Sequence, residues 1–498
     1  MTKFEKPGRR ADWDYPDMVA EAVGQACADA SINYADVQMA AVGYIYGSTC
    51  SGQRALYPLG MTGIPIINVN NACASGSSAL YLVRQAIRAG EAEVGLAVGF
   101  EKMAPGSLEA MGGMLTDRVQ PVDRHIEVMN ETYGMEAAPV TAQMFGNAAR
   151  EHMAKYGSLP EHFAAIAVKN HAHSVANPKA QFQQEYSLEE VLGSRMIHEP
   201  LTKLQCSPTS DGAAAVVVCS EAFLEKHPQL RPQAVEIIGM VLGTDLHPAL
   251  NPPYSNIAMV GFHAAETAAK KLFHAAGLSI EDVGAIELHD CFSSNELLTY
   301  EALGMAAVGR GQEVVERKDN TYGGRWVVNP SGGLISKGHP IGATGVAQAV
   351  ELSNQLRGRC GPRQVPDLKI ALQHNIGIGG AVVLGLYKLA FPSGQSREIS
   401  VAPPMFPSDA VFAAIPGHAT PEVCAKINGT FLYRIRRGPQ VKCWLTDFKS
   451  GKAVIRVLSD LDQRPSVDAE IELEDSDLMA IVDGSLSRFQ AYVQGRVK

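Results

Sequence analysis

The feature that most constrains the fold of this 498-residue chain is a long-range internal duplication. The stretch QACADASINYADVQMAAVGYIYG, which begins at Gln25, resembles KLFHAAGLSIEDVGAIELHD, which begins at Lys271. Each copy reads as the end of an alanine-rich helix, a turn and a short apolar strand, and Asp36 aligns with Asp282. Self-similarity over this distance predicts two copies of one βαβαβ unit, with mostly parallel sheets covered by helices.

The duplication continues along both halves of the chain. INVNNACASGSSAL parallels VVNPSGGLISKGHPIGATG, with Asn70 against Asn329, and each half closes on a late apolar strand. The second copy opens with an extra apolar strand, AVEIIGMVLGTD at 234–245, whereas the first copy starts at Met1 where that strand would end.

Composition shifts predict the domain boundaries. The first half covers 1–230 and contains a polar, Gly- and Met-rich loop insertion at about 105–206. The second half covers 231–391. A Pro/Ser-rich stretch, FPSGQSREISVAPPMFP, predicts a linker at 392–407, and a different module follows at 408–498.

The tail module reads as a small α+β domain with an antiparallel sheet. Its predicted strands are TFLYRIRR, KCWLTDF, KAVIRVL and VDAEIELE, and DSDLMAIVDG predicts a helix from Asp475 or Ser476 to Gly484. One strand face is apolar, so it either lines a lipid cavity or covers a helix: Phe431, Tyr433, Ile435, Val467, Ala469, Ile471 and Leu473. The chain stops at QGRVK, where a further strand would begin, so we expect an incomplete domain.

Charge and cysteine usage exclude several classes of function. The net charge of −9 and the lack of any Lys/Arg-rich run argue against nucleic-acid binding. No apolar stretch reaches membrane-spanning length. Nine cysteines without CxxC spacing are typical of reduced thiols in a reducing compartment.

A cysteine stands where a strand gives way to a helix. NNACASGSSAL places Cys73 after the apolar run IPIINV and before an amphipathic helix that closes on Gly90. Unpaired N–H groups at a helix N-terminus stabilise a thiolate, so this residue is a candidate nucleophile. Taken alone, a buried structural cysteine is the commoner explanation.

Three further stretches place polar side chains at strand ends or in βα loops, where α/β sheets collect ligands. SKGHPIGATG contains His339, ELHDCFSSNELL contains His289 and Cys291, and LQHNIGIGGAVVLG contains His374 and Asn375. Each residue alone is more often structural. Their joint occurrence on both copies favours one active site.

At these motifs the chain resembles the thiolase superfamily, and most closely its sterol carrier protein-x type. NACASGS, HDCF, NPSGGLISKGHPIGATG and QHNIGIGGA carry the resemblance, which extends from Met1 to about Leu389. The tail from about Ser408 resembles the sterol carrier protein-2 lipid-binding domain. The resemblance implies a duplicated thiolase fold, five-layered α-β-α-β-α, followed by a small, C-terminally truncated sterol-carrier domain.

The family that the chain resembles implies a central position in the sheet for the extra strand at 234–245. Because the first copy starts where its equivalent would end, we expect reduced stability for the chain as given, or a strand encoded upstream.

The resemblance also implies roles for the site residues. Cys73 would be the nucleophile, His339 the base that activates it, and Cys291 an acid/base. Cys291 would replace a cysteine that the family usually has at the position of Asn375, and His289 would stabilise the enolate oxygen. Backbone N–H groups of Cys73 and Gly379 would form a second oxyanion hole, and Asn375 and His374 would contact substrate.

The implied function is thiolysis of straight, 2-methyl-branched or sterol side-chain 3-oxoacyl-CoA in fatty-acid β-oxidation. CoA thioesters would be substrates, with no cofactor and no metal, and the tail would bind a fatty acyl or sterol ligand. The resemblance also implies a homodimer and a peroxisomal location; the given sequence shows no peroxisomal signal at RVK, and without one we expect a cytoplasmic protein. Two alternatives stay open: a lipid-transfer protein with an inactive core, and a ketosynthase-like condensing enzyme using His289, His339 and His374. Cys291 favours the thiolase.

Overall fold

The computed structural model describes residues 1–10, 12–104, 122–391, 408, 411–412, 415, 419–437, 440–449, 453–458, 466–482 and 486–487. The chain divides into two compact units, Met1–Ser393 and Gly394–Lys498. The predicted linker at 392–407 lies outside the described residues. No helix in the described part of the chain is long and apolar enough to cross a membrane.

The first repeat builds a four-stranded sheet in the order β2-β1-β3-β6. Its strands are β1 (Met39–Gly43), β2 (Ile66–Val69), β3 (Val94–Glu101) and β6 (Gly212–Cys219). Its helices are α1 (Tyr15–Ala30), α2 (Ser51–Leu56) and α3 (Ser75–Ala89). Asp14 caps α1 through a capping box with Asp17, and Ser31 ends the helix with a φ of 53°.

The second repeat builds a five-stranded sheet in the order β7-β11-β10-β8-β9. Its strands are β7 (Val235–Gly243), β8 (Ala285–Glu287), β9 (Val327–Val328), β10 (Ala371–Gly377) and β11 (Ala381–Leu389). Its helices are α9 (Asn256–Met259), α10 (Phe262–Ala276), α11 (Ser293–Ala302), α12 (Gly311–Glu316) and α13 (Thr344–Leu356).

The two repeats stack as five layers, which confirms the predicted duplicated α-β-α-β-α fold. Helices α3 and α13 form the middle layer, in contact with each other and with strands of both sheets. Helix α1 covers the outer face of the first sheet, and α10 covers that of the second. The strand ends that carry the candidate residues therefore meet at the middle of the molecule.

The extra strand of the second repeat lies at a sheet edge, so its predicted central position is wrong. Strand β7 pairs with β11 alone and in the antiparallel direction. In the first repeat, the position that corresponds to β7 is the free edge of β6. There Thr2 N donates to Ala213 O at 2.9 Å, and Glu5 N donates to Asp211 O at 3.1 Å.

The predicted loop insertion at 105–206 is largely helical over its described part, 122–206. It contains α4 (Asp123–Thr132), α5 (Val140–Tyr156), α6 (Pro160–Ser174), α7 (Leu188–Leu192) and the hairpin of β4 (Met196–His198) and β5 (Leu201–Thr202). Helix α8 (Glu221–Lys226) follows β6. The polar character that predicted a loop has a structural cause. Buried His and Asn side chains of α6 donate to and accept from the second repeat.

The tail unit carries a mixed sheet in the order β14-β13-β12-β15. Its elements are α14 (Pro421–Ile427), β12 (Thr430–Arg437), β13 (Gln440–Asp447), β14 (Val454–Leu458), β15 (Ala469–Glu474) and α15 (Asp475–Val482). The strands and the start of the last helix confirm the sequence prediction. The antiparallel sheet is wrong for one pair, because β12 and β15 are parallel.

The apolar face of the tail sheet packs on neighbouring side chains. Ile435 and Leu473 are buried with Phe412, and Tyr433 and Ile471 border them. The ring of Phe412 stacks on Trp444 with 4.7 Å between centroids. Two side chains of α15, Leu478 and Ile481, complete this cluster.

Candidate active site

Cys73 lies in the turn that connects β2 to α3. The preceding residue, Ala72, has a φ of 47°, a left-handed conformation that is strained for a residue with a Cβ atom. The hydroxyl of Ser75 holds this turn, accepting from Asn71 N at 2.8 Å and donating to Ala72 O at 2.6 Å. The thiol therefore lies just ahead of the first residue of α3, as predicted.

The surroundings of Cys73 favour the protonated thiol, whereas the N-terminus of α3 was expected to favour a thiolate. Burial raises the pKa of the thiol to about 12; a backbone hydrogen bond opposes this rise and the charge of Glu101 adds to it. A base in the site must therefore take the proton when Cys73 attacks.

His339 has the tautomer that such a base needs. Its Nδ1 lies 2.7 Å from Oγ1 of Thr344, and that hydroxyl donates to Pro340 O at 3.1 Å. We assign the hydroxyl proton to Pro340 O, which makes Nδ1–H of His339 the donor and leaves a lone pair on Nε2. Burial, and next the charge of Lys337, lowers the pKa of His339 to about 3. The ring is therefore neutral and can accept a proton on Nε2.

His289 has the opposite tautomer. Nδ2 of Asn375 lies 2.9 Å from Nδ1 of His289, and an amide NH2 group can only donate. Nδ1 of His289 therefore accepts and its Nε2 carries the proton. Burial, followed by the charges of His339 and His374, lowers the pKa of His289 well below its ordinary value. This second histidine is a neutral hydrogen-bond donor.

The structure brings the three side chains together. Sγ of Cys73 and one ring nitrogen each of His289 and His339 lie within 4.8 Å of one another. The two rings are edge to face, with 5.3 Å between centroids. Thr344 and Asn375 occupy both Nδ1 atoms, so the Nε2 atoms are the ones left for a reactant. Nε2 of His339 then accepts a proton, and Nε2–H of His289 donates a hydrogen bond.

Cys291 lies in the loop between β8 and α11, two residues after His289. It is buried, and its backbone oxygen accepts from Ser207 N at 2.9 Å. Burial, and after it the charge of Cys73, raises the pKa of the Cys291 thiol well above its ordinary value. These effects favour the protonated form of the Cys291 thiol.

Asn375 and His374, the expected substrate contacts, lie at the end of β10, where each makes a hydrogen bond to His289. Asn375 orients His289, and Nδ1 of His374 accepts from His289 N at 3.4 Å. Burial lowers the pKa of His374 to about 3. Both side chains are fully buried.

Gly377, and not Gly379, is the glycine that lies against the Cys73 turn. A Cβ atom on Gly377 would lie 2.1 Å from Asn71 O and 3.1 Å from Ala74 N, so only glycine allows this approach. Gly379 lies further along, in the turn between β10 and β11, with a φ of 103°.

Sequence reasoning missed Glu101, a buried carboxylate that joins the two repeats. Its oxygens accept from Tyr46 N and Gly342 N, each at 3.0 Å, and from Ile45 N at 3.2 Å. Gly342 belongs to the loop that carries His339. Burial raises the pKa of Glu101 to about 7, against the lowering effect of these N–H groups. The signal was present in the sequence, since a carboxylate ends the late strand β3.

A second missed carboxylate is Asp290, between His289 and Cys291. Its oxygens accept from Leu334 N at 2.7 Å and Ile335 N at 3.2 Å, in the π-helical turn Gly333–Lys337 that precedes His339. Asp290 is fully buried. It therefore ties the loop of Cys291 to the loop of His339.

The cluster of Cys73, His289 and His339 also has the spacing of metal ligands, and no second such group occurs among the described residues. The hydrogen bond from Asn375 leaves His289 with an N–H group at the centre of this cluster.

Comparison with protein-family models identifies three matches along the chain. Residues 1–222 match the thiolase N-terminal domain, and residues 253–383 match the thiolase C-terminal domain-like model. Residues 412–498 match the SCP-2 sterol transfer family. The matches follow the two repeats and the tail.

Two known proteins are similar to this chain, one along its whole length and the other along 80% of it. Sterol carrier protein 2 of Bos taurus is 51% identical over 510 residues, which covers 100% of this chain and 92% of that protein. Non-specific lipid-transfer protein-like 2 of Caenorhabditis elegans is 62% identical over 399 residues, covering 80% of this chain and 97% of that protein.

A solved structure shows the same fold. Human mitochondrial 3-ketoacyl-CoA thiolase superimposes with a TM-score of 0.57 at 20% identity, covering 78% of this chain and 97% of that one. At that level of identity the likeness extends to the fold alone.

Proposed function

Since this chain belongs to the thiolase family and carries an SCP-2 sterol transfer domain, we propose that it cleaves 3-oxoacyl-CoA thioesters with free CoA. Membership makes it an acyltransferase with CoA thioester substrates. The observation that carries the specific proposal is the pair of opposite histidine tautomers beside two thiols. The substrates proposed are straight-chain, 2-methyl-branched and sterol side-chain 3-oxoacyl-CoA, as the resemblance implies.

The first step uses Cys73 and His339. Nε2 of His339 takes the thiol proton as sulfur attacks the 3-keto carbon, so no ionised thiol need persist in the buried site. The N–H groups of Cys73 and Gly377 stabilise the oxyanion of the tetrahedral intermediate, and we assign Gly377 here in place of Gly379. Loss of one such donor typically raises a barrier by about 3 kcal/mol.

The second step breaks the bond between C2 and C3. The acyl group stays on Cys73, and acetyl- or propanoyl-CoA leaves as an enolate. Nε2–H of His289 donates to the thioester oxygen that carries the developing charge, and the Cys291 thiol protonates C2. A thiol whose pKa is raised by burial holds its proton until the enolate forms.

The third step returns the enzyme to its starting state. The Cys291 thiolate takes the proton of incoming CoA, whose sulfur attacks the acyl group on Cys73. Acyl-CoA leaves, and the protonated His339 returns its proton to the sulfur of Cys73. Both thiols and both histidines then have their original protons.

Thiolysis of a medium-chain 3-oxoacyl-CoA and its 2-methyl analogue tests the proposal. Loss of the 3-oxoacyl-CoA enolate absorbance reports turnover in the parent, Cys73→Ala and Cys291→Ala proteins. We expect turnover in the parent, with at least a 1,000-fold decrease in each variant, and the ratio of substrates gives the preference for branching. A folded parent without turnover contradicts the proposal. Turnover retained in Cys291→Ala would favour a decarboxylating condensing enzyme.

Lipid binding by the tail is a second proposed activity, supported by the match of residues 412–498 to the SCP-2 sterol transfer family. Binding of cis-parinaric acid to the full chain tests it. We expect binding that survives Cys73→Ala and is not displaced by CoA. Displacement by 3-oxoacyl-CoA in proportion to active-site occupancy would place the lipid in the thiolase core instead.

Three further proposals rest on the resemblance. We propose a homodimer, peroxisomal residence and turnover without a cofactor or metal. Sedimentation of the full chain tests the first, and imaging in cells tests the second. Turnover unchanged after treatment with EDTA supports the third, whereas restoration by an added metal would contradict it.

A further inference from the structure

A line of buried hydrogen bonds leads from the second sheet to His289. The hydroxyl of Ser77, in α3, donates to Oδ1 of Asn375 at 2.6 Å. Nε2 of Gln373, on β10, donates to Oγ of Ser77 at 3.1 Å, and the hydroxyl of Tyr387, on β11, donates to Oε1 of Gln373. All of these side chains are almost fully buried.

A backbone group sets the direction of the whole line. The oxygen of Gly345 lies 2.6 Å from the side-chain amide of Gln373. A carbonyl can only accept, so the NH2 group of Gln373 faces Gly345 and its oxygen faces Tyr387. The remaining N–H of Gln373 has two acceptors in reach, and Oγ of Ser77 at 3.1 Å is nearer than Oε1 of Gln348 at 3.3 Å. With that N–H on Ser77, the proton of Ser77 is left for Asn375.

We propose that Ser77 and Gln373 are positioning residues that set the tautomer of His289. With Ser77 donating to its oxygen, Asn375 presents its NH2 group to Nδ1 of His289, and Nε2 of His289 keeps the proton it donates to the enolate oxygen. Reversal of the Asn375 amide would place its oxygen at Nδ1. That reversal would move the proton of His289 to Nδ1 and leave a lone pair at the oxyanion.

The packing around Ser77 leaves this arrangement little freedom. A Cβ atom on Gly345 would lie 1.9 Å from Oγ of Ser77 and 2.7 Å from Oδ1 of Asn375. The glycine of α13 therefore makes room for a hydrogen bond between α3 and β10. Ser77 is also four residues after Cys73, so the turn before α3 carries the nucleophile and the first turn of α3 carries the group that orients the oxyanion donor.

The inference rests on the proposed thiolysis, and Ser77→Ala in the full chain tests it. We expect kcat to fall about 10- to 100-fold with KM changed less than about threefold, since the donor acts on the developing charge. In a His289→Ala background the same substitution should lower kcat less than about twofold. Ser51→Ala is the matched control and should keep parental kcat, because Ser51 is a buried serine of α2 whose hydroxyl donates to Ser48 O at 2.8 Å.

A spectroscopic measurement separates positioning from general structural damage. The 15N NMR spectrum of protein labelled in the imidazole ring, with His289 assigned by difference from His289→Ala, should show Nε2–H in the parent and Nδ1–H in Ser77→Ala. Gln373→Met tests the same line if Ser77→Ala fails to fold, and it should give the same change of tautomer.

Two results would overturn the inference. One is an unchanged His289 tautomer in a folded Ser77→Ala or Gln373→Met protein. The other is a decrease of kcat in the His289→Ala background that is as large as the decrease Ser77→Ala causes in the parent. The NMR measurement needs no turnover. An inactive parent with the expected tautomer change would therefore contradict the proposed function and support the inference.

Discussion

Replacing Thr344 by valine isolates the contribution of the His339 tautomer. Valine has nearly the shape of threonine, so Thr344→Val removes the hydroxyl that accepts from Nδ1 of His339 and leaves the packing of α13 in place. Nδ1–H of His339 then loses its 2.7 Å partner in a fully buried position. The ring must leave that donor unpaired, rotate, or move its proton to Nε2.

The structure gives the size of the expected effect. An unpaired buried donor costs about 1–3 kcal/mol. If the productive tautomer of His339 is disfavoured by that amount, kcat falls by a factor between about 5 and 150, since each 1.36 kcal/mol is tenfold. The stability of the fold decreases by no more than a similar amount.

Steady-state thiolysis of Thr344→Val and Thr344→Ser provides the assay, together with the rate of alkylation of Cys73 by iodoacetamide. The serine variant keeps a hydroxyl and should stay within about threefold of the parent. Parental kcat and parental alkylation of Cys73 in a folded Thr344→Val protein would refute the tautomer argument.

Two other predictions concern close packing and acid stability. Gly377→Ala should abolish thiolysis, because its Cβ would lie 2.1 Å from Asn71 O, whereas Gly24→Ala, with no atom within 4 Å, should keep full activity. Burial lowers the pKa of His374 from 6.5 to about 3, so stability present above pH 6.5 is lost as the pH falls and the unfolded ring binds a proton. At pH 4.5 this loss is about 3 kcal/mol, and urea unfolding of His374→Leu should show a correspondingly smaller decrease between pH 7 and pH 4.5.

The duplicated fold was predictable because its pattern is local and repeated. Asn70 and Asn329, at equivalent strand ends, mark where each repeat turns from its sheet to its middle helix. The motifs around Cys73 and His339 lie in those turns, so their meeting at one site followed from the topology.

The predictions that were wrong concern contacts between segments far apart in the sequence, which a local sequence pattern does not reveal. The order of strands in a sheet places β7 at an edge, although its apolar composition is typical of an interior strand. Polar residues of α6 satisfy buried partners in the second repeat, which made a helical segment read as a loop. In the tail, β12 and β15 pair in parallel across 31 intervening residues, 438–468.

The chemistry of the site was predictable only in part. Residue types indicated Cys73 and Cys291, but the protonation of each group depends on burial. The tautomers of His289 and His339 depend on Asn375 and Thr344, which approach from other elements. The close approach of Gly377 to the Cys73 turn is likewise visible only in three dimensions.

The most direct test of the central claim is acylation of Cys73 in the absence of free CoA. Protein mixed with a 3-oxoacyl-CoA is digested, and mass spectrometry locates the acyl group while released acetyl-CoA is quantified. The account predicts one acyl group on the peptide containing Cys73 in the parent, with an equal amount of acetyl-CoA, and neither product in Cys291→Ala. Acylation of Cys73 at the parental rate in Cys291→Ala would contradict it, because no group would then be needed at that position to protonate the enolate.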